Sequence, residues 1–279
     1  MIKITDNDFN LLSKYVIDIS GIYLDHDKKY LVETRLLPIL NELKCNSYGE
    51  LYQKAKSDFS KRIEKQIIDA ISTNETYFFR DVMPFELLKH KILPDIIDKK
   101  RTLGEDNFNI RIWSAACSTG QELYSIALII KELCLDLRKH NIKLLGTDLS
   151  NAVVKKASLG KYNKFEVARG LTPNQINKYF IPEEDCWKIK DEIRSMVAFK
   201  TLNLMEPFYN LGRFDIVLCR NVAIYFTPEN RKKLYEKIAK VIEPEGYLII
   251  GSTETMINNN MFEPKKYLNS VFYALRGNI

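Results

Sequence analysis

Cysteine is scarce and unpatterned in this chain. Cys45, Cys117, Cys134, Cys186 and Cys219 are odd in number, scattered, and form no C-x-x-C pair. Neither a disulfide framework nor a cysteine zinc site organises such a sequence. Histidine is scarcer still: His26, His90 and His140 stand apart and fall in no motif, so no Ser-His-Asp set is offered. Long apolar runs are missing. Stretches such as Ile126 to Ile130 fall far short of the roughly 18 residues a membrane span needs. Met1 to Asp6 lacks the apolar segment of a signal peptide, so a soluble, cytoplasmic chain is expected. Neither charge sign dominates. The net charge is +6, residues 1–80 hold 12 basic and 12 acidic side chains, and there is no long Lys/Arg block. Charge alone therefore does not argue for a nucleic-acid partner.

What is present divides into two textures. The 279 residues suffice for one large α/β domain and a small one. Over the first 75 or so, Phe9, Leu11, Leu12, Tyr15, Val16 and Ile19 recur at helical spacing, and Gly21 can end that helix. Leu31, Leu36, Leu37, Leu40 and Leu43 predict a second helix. Leu51 to Lys56 and Lys61 to Ile71 predict two more, and a further helix is expected around Phe85 to Lys99. After about residue 105, strand candidates alternate with helices. The strands are Phe108–Trp113, Ile142–Gly146, Met196–Phe199, Phe214–Cys219, Tyr247–Ile250 and Val271–Leu275. The helices are Glu122–Lys139, Asn151–Leu159 and Pro228–Ile242. This rhythm predicts a largely parallel sheet covered on both faces, with ligands beyond the carboxyl ends of its strands. Residues 160–200, with Gly160, Gly170, Pro173 and Pro182, read as a hairpin-like insertion.

The first strand runs into a small-residue turn, Ala115-Ala116-Cys117-Ser118-Thr119-Gly120, ahead of Gln121-Glu122. Small residues there let a ligand approach the backbone. The turn has neither G-x-G-x-x-G nor G-K-[ST], so it suits a nucleoside without a demanding pyrophosphate. The second strand ends at Asp148, whose carboxylate can accept both ribose hydroxyls of an adenosine. Capping of the next helix is an equal role for Asp148 or Ser150. An acidic strand end alone leaves NAD and S-adenosylmethionine open. The missing glycine fingerprint favours the latter.

The sharpest signal precedes the sheet: Asn74-Glu75-Thr76-Tyr77-Phe78-Phe79-Arg80. This segment resembles the N-E-T-x-F-F-R signature of the CheR-type chemotaxis receptor methyltransferases. The same family's motifs recur in order at Trp113–Glu122, Gly146–Ser150, Asn203-Leu204 and Cys219–Phe226. Departures are small: Tyr77 and Ala223 fall at variable positions, and Ser252-Thr253 replaces a more usual pair. The resemblance implies an α/β fold, with a Rossmann-like S-adenosylmethionine-dependent methyltransferase sheet. It implies an all-helical N-terminal domain over residues 1–75, a linker and helix over 76–105, and a methyltransferase domain over 106–279. A small β-subdomain would be inserted at about 160–200.

The implied activity is methyl transfer from S-adenosylmethionine to receptor glutamates, giving methyl esters and S-adenosylhomocysteine without a metal. By similarity, Asn74, Thr76 and Arg80 contact the methionine end of the cofactor, and Glu122 lines its site. Asp148 holds the ribose. Asn203, Leu204, Arg220 and Asn221 close around the adenine and the sulfonium. Arg80 and Tyr225 lie nearest the reacting centre. A glutamate acceptor, with a reference pKa near about 4.3, is already ionised at neutral pH, so alignment is the enzyme's main task.

The implied partner is the helical cytoplasmic domain of a chemoreceptor, with no nucleic acid and no membrane insertion, and the enzyme is expected to act as a monomer. A docking surface is expected on a helix over Asp27 to Leu43. Lys28 and Arg35, seven residues apart, would share a face, with Lys29 beside them. Two other classes stay open on the residues alone: methylation of RNA or a small molecule, and a non-catalytic sensor of the cofactor.

Overall fold

The computed structural model describes residues 2–104, 107–133, 140–256 and 259–277. The Thr5 hydroxyl accepts the Asp8 N–H and starts helix α1 (Asp6–Ser20), which Gly21 ends at φ 77°. A Cβ at Gly21 would also stand 2.4 Å from Met205 Cγ, so glycine serves both the turn and a close approach. A 3₁₀ turn, His26–Lys28, leads into α2 (Lys29–Glu42), followed by α3 (Tyr48–Ser57) and α4 (Arg62–Ile71). Their apolar stripes meet in one core containing Leu12, Val16, Leu36, Leu40, Tyr48 and Ile67. Each side chain buried this fully is worth roughly 1.5–3 kcal/mol.

The helix expected near Phe85 to Lys99 is longer. It comprises α5 (Met83–Leu87), a π-helical turn (Leu88–Ile92) and α6 (Leu93–Thr102). The alternating region follows: β1 (Asn109–Ala115), α7 (Gln121–Glu132), β2 (Asn141–Asp148) and α8 (Asn151–Leu159). The expected run to Lys139 lies partly outside the described residues, at 134–139.

The insertion holds β3 (Lys161–Tyr162), α9 (Lys164–Ala168), α10 (Pro173–Tyr179), β4 (Phe180–Pro182), β5 (Trp187–Ile189) and α11 (Asp191–Arg194). Its strands form a small antiparallel sheet in the order β3-β5-β4. The main chain of elements resumes with β6 (Val197–Thr201), β7 (Phe214–Cys219), α12 (Pro228–Ala239), β8 (Ile242–Ile250), β9 (Phe262–Tyr267) and β10 (Ser270–Leu275).

The main sheet runs β6-β2-β1-β7-β8-β10-β9. Its first five strands are mutually parallel, β10 pairs antiparallel with β8, and β9 pairs antiparallel with β10. Three expectations need correction. Residues 197–201 belong to this sheet, because β6 pairs with β2 from Leu144↔Val197 to Asp148↔Thr201, so the insertion ends before them. The helix expected to reach Ile242 stops at Ala239, since Ile242 already pairs with Phe214. Strand β9 was not anticipated: it carries Pro264 and is mostly exposed, which suits a sheet edge but erases the alternating pattern. Two further cores cover the sheet, one containing Phe78, Tyr124 and Ile216 and the other Trp113, Val217 and Leu234. Among the described residues no helix is long and apolar enough to cross a membrane.

Candidate active site

The carboxyl ends of β1, β2, β6 and β7 open into one pocket of about 970 Å³, counting its mouth. Asn74, Thr76, Arg80, Glu122, Asp148, Asn203, Leu204, Arg220, Asn221 and Tyr225 all line it, although they come from well-separated stretches of chain.

The turn after β1 forms the floor. Ala116 and Ser118 take positive φ values of 62° and 49°, which their small side chains ease. The Ser118 N–H donates to Asp148 Oδ2 at 2.9 Å and the Ser150 N–H to Oδ1 at 3.1 Å. Ser150 is the cap of α8, accepting the Val153 N–H, so the Asp148 carboxylate is not spent on capping. A carboxylate offers about four lone-pair sites, so accepting capacity remains for a hydroxyl ligand. Burial pushes the Asp148 carboxyl above its ordinary value, against the opposing pull of the Ser150, Ser118 and Leu149 N–H groups. The neighbouring Cys117 thiol is buried and pushed well up, so it is inert as a nucleophile.

The linker supplies one wall. Ser118 Oγ donates to the Asn74 carbonyl at 3.0 Å, and the Phe79 N–H donates to Ser125 Oγ at 2.9 Å. Phe79, Asp81 and Val82 all have positive φ (53°, 66° and 36°), a strained run for non-glycine residues. Arg220 holds that run. Its guanidinium, on a side chain 1% exposed, donates to Glu122 at 2.7 Å, to the Arg80 carbonyl at 2.7 Å and to Asp81 at 2.9 Å. Glu122 also accepts from Ser114 Oγ at 2.8 Å. Most of the Arg220 fork therefore faces protein, and among the described residues its buried Nε–H has no acceptor. Arg80 itself is half-buried, donates to the Glu75 carbonyl and lies 6.0 Å from the Tyr77 ring centroid.

The insertion braces the same wall from outside. Arg169 pairs with Glu75 at 2.8 Å and stacks over Tyr77 at 4.1 Å. Phe78 meets the rings of Tyr162 and Phe180 edge-on. A Cβ at Gly170, φ 102°, would fall 1.8 Å from the Phe78 carbonyl oxygen, so only glycine permits this approach.

The helical region closes the top. Ile22 and Phe226 form an antiparallel bridge, and the Tyr23 N–H donates to the Tyr225 carbonyl at 2.8 Å. The Asn203 amide donates to the Ile19 carbonyl at 2.9 Å and accepts from the Met205 N–H at 2.9 Å. Asn203 therefore fastens α1 to the pocket rim, while Leu204 is buried in the core beneath it.

Two residues to which the sequence assigned no role support this geometry. The buried Glu254 carboxylate accepts the N–H groups of Asn221, Gly251 and Ile224 at 2.9, 2.7 and 3.3 Å and so shapes the loop after β7. Its only sequence signal is a carboxylate three residues past Gly251. Lys237 holds the loop after β6 through the carbonyls of Leu204 and Glu206.

The three docking candidates do not line the pocket. Lys28 belongs to the 3₁₀ turn, because α2 starts at Lys29, so a shared α-helical face with Arg35 does not hold. Lys28 is exposed, and Lys29 pairs with Asp6 at 2.6 Å. Arg35 turns inward, donating to the Ile71 carbonyl at 2.5 Å and to Thr73 Oγ1 at 3.3 Å.

The family model for the CheR methyltransferase SAM binding domain matches residues 74–270. The chain belongs to the CheR methyltransferase family. The all-alpha domain model of the same family matches residues 7–72. Chemotaxis protein methyltransferase Cher2 of Pseudomonas putida is 38% identical over 89% of this chain and 90% of its own. The chemotaxis protein methyltransferases of Vibrio parahaemolyticus and Borreliella burgdorferi are 34% and 36% identical. The first aligns over 99% of both chains, the second over 94% of this chain and 93% of its own. This CheR-family chain is thus an S-adenosylmethionine-dependent methyltransferase of the chemotaxis type, and NAD is set aside. The pocket can accept that cofactor: the buried Asp148 carboxylate lies at its floor with accepting capacity left, and among the described residues the buried Arg220 Nε–H has no acceptor.

Proposed function

We propose that this chain transfers the methyl group of S-adenosylmethionine to glutamate side chains in the cytoplasmic helical domain of chemoreceptors, releasing S-adenosylhomocysteine. The observation that carries the reading is the meeting of Asn74–Arg80 and Arg220–Tyr225 at one pocket beside Asp148. When bound, the cofactor supplies an electrophilic methyl on a sulfonium. Asp148 accepts the ribose hydroxyls. Asn74, Thr76, Glu122, Asn203, Leu204, Arg220 and Asn221 shape the rest of the cofactor site. Arg80 orients a carboxylate by charge-assisted hydrogen bonding, and the Tyr225 hydroxyl donates beside the acceptor. The acceptor is already ionised, so the protein's work is alignment and exclusion of water.

Residues 1–75 act as the receptor-docking domain, 76–105 as the linker, and 106–279 as the methyltransferase domain. Lys28 and Lys29 offer charge to a glutamate-rich helix, while Arg35 braces the route from α2 to Asn74. The enzyme works as a monomer in the cytoplasm and needs no metal. Arg80→Ala and Tyr225→Phe test the reading, with methyl-labelled cofactor and receptor cytoplasmic fragments. Both variants should lose at least about tenfold in base-labile label on glutamate, a loss expected of orienting groups. Near-normal transfer by both, or label on RNA instead, would overturn it.

A further inference from the structure

Asn203 and Leu204 form the pocket wall after β6, and that wall is held from behind by a residue outside every motif. Lys237 stands in the last turn of α12. Its Nζ donates to the Leu204 carbonyl and, at 3.0 Å, to the Glu206 carbonyl. The same ammonium lies 4.9 Å from the Phe208 ring centroid. Phe208 meets Trp113 edge-on at 5.0 Å, and Trp113 Nε1 donates to Thr147 Oγ1 at 2.9 Å. Thr147 immediately precedes Asp148. A continuous set of contacts thus joins Lys237 to both the 203–208 segment and the ribose-side carboxylate.

Both carbonyls that Lys237 holds lie in a connection without regular secondary structure. A segment of this kind gains order from such tethers, because its backbone makes few bonds of its own. We propose that Lys237 is a positioning residue that sets the affinity for S-adenosylmethionine by holding the Asn203–Phe208 segment against the pocket. This rests on cofactor binding alone and is independent of which carboxylate receives the methyl.

The site also predicts a pH signature. Lys237 is half-buried, and burial lowers its pKa to about 8 despite the opposing field of Glu206, the charged group facing it from the held segment. On its own helix, Lys233 is engaged with Glu229 on the exposed face. As pH rises through about 8, Nζ loses its charge, one of its three donors and its attraction to the Phe208 ring. The tether weakens, so cofactor affinity falls.

The experiment is calorimetric binding of S-adenosylmethionine and S-adenosylhomocysteine to Lys237→Met, Lys237→Arg and the unaltered enzyme across this pH range. The cofactor's own α-amino group titrates near about 8, so the decisive quantity is the difference between proteins at each pH. Lys237→Met should bind about tenfold more weakly at neutral pH, with transfer at saturating cofactor little changed. Lys237→Arg keeps its charge throughout and should bind normally at neutral pH, lacking the part of the alkaline loss that belongs to Lys237. The proposal is overturned if Lys237→Met binds like the unaltered enzyme, or if Lys237→Arg shows the same alkaline loss. Should Lys237→Met fail to fold, the Lys237→Arg comparison still decides.

Discussion

Arg220→Met removes the clamp on the strained linker while keeping a stem of similar length. The change deletes hydrogen bonds to Glu122 (2.7 Å), the Arg80 carbonyl (2.7 Å) and Asp81 (2.9 Å). The three losses are unequal. Asp81 is 28% exposed and regains water, so its share is small. Glu122 is only 13% exposed and keeps the Ser114 hydroxyl as a partner. Breaking a buried ion pair from one side costs roughly 3–5 kcal/mol, and the wetter Asp81 arm places this case at about 3 kcal/mol. For a chain of this size that lowers the unfolding midpoint by roughly 6–12 °C. Denaturant and thermal unfolding of the cofactor-free protein measure it. Arg220→Lys separates charge from geometry: an ammonium cannot bridge three acceptors, so it should recover part of the stability but little of the methyl transfer. A loss below about 1 kcal/mol for Arg220→Met would refute the clamp, since that is the size of an ordinary surface change.

Two further outcomes follow from the same geometry. Gly170→Ala places a Cβ 1.8 Å from the Phe78 carbonyl at φ 102°, so unfolding and calorimetry should show a loss of about 2 kcal/mol or more and weaker cofactor binding; near-normal values would contradict the packing of the insertion on the linker. Asp148→Asn should weaken cofactor binding about tenfold or more. In the unaltered enzyme, protonation of Asp148 removes an acceptor pair, and its pKa is raised by burial. Affinity should therefore fall on acidification at a pH above the ordinary carboxylate range, and Asp148→Asn should lack that step.

The parts of this molecule legible in the sequence are those encoded by local period and composition. Asp148 could be placed because a strand pattern ends on it, and Glu122 because a small-residue turn runs into its helix. Arg35 shows the limit. Spacing placed it on one face with Lys28, but no spacing marks the Ile71 carbonyl that captures its guanidinium. Arg220 was read as facing the ligand, whereas three acceptors from two other segments draw most of its fork into the protein. The roles of Glu254 and Lys237 were invisible for a related reason. Their partners are backbone N–H and C=O groups some 30 residues away, and no side-chain pattern marks a backbone group. Met196–Phe199 reads as a strand, yet the insertion's bound was drawn to about 200 because its polar texture continues into β6 at the sheet edge, where one strand face is wet.

The links between the helical region and the pocket bear on how docking could influence transfer. Ile19 in the last turn of α1, and Ile22 and Tyr23 just after it, bond to Asn203, Phe226 and Tyr225. Arg35 on α2 bonds to Ile71 and Thr73, and the next residue, Asn74, is fixed to Ser118 at the pocket floor. The helical region therefore touches the pocket at two places, the Asn203 and Tyr225–Phe226 side through residues 19–23 and the Asn74 side through Arg35. Methyl transfer is sensitive to displacements of the order of 1 Å. On this geometry Arg35 matters through the carbonyl it holds rather than the charge it displays. Lys28 and Lys29 are the residues whose charge a receptor helix could meet, so charge reversal at Lys28 and loss of the Arg35 brace should affect different kinetic steps: the former receptor affinity, the latter the rate once receptor is bound.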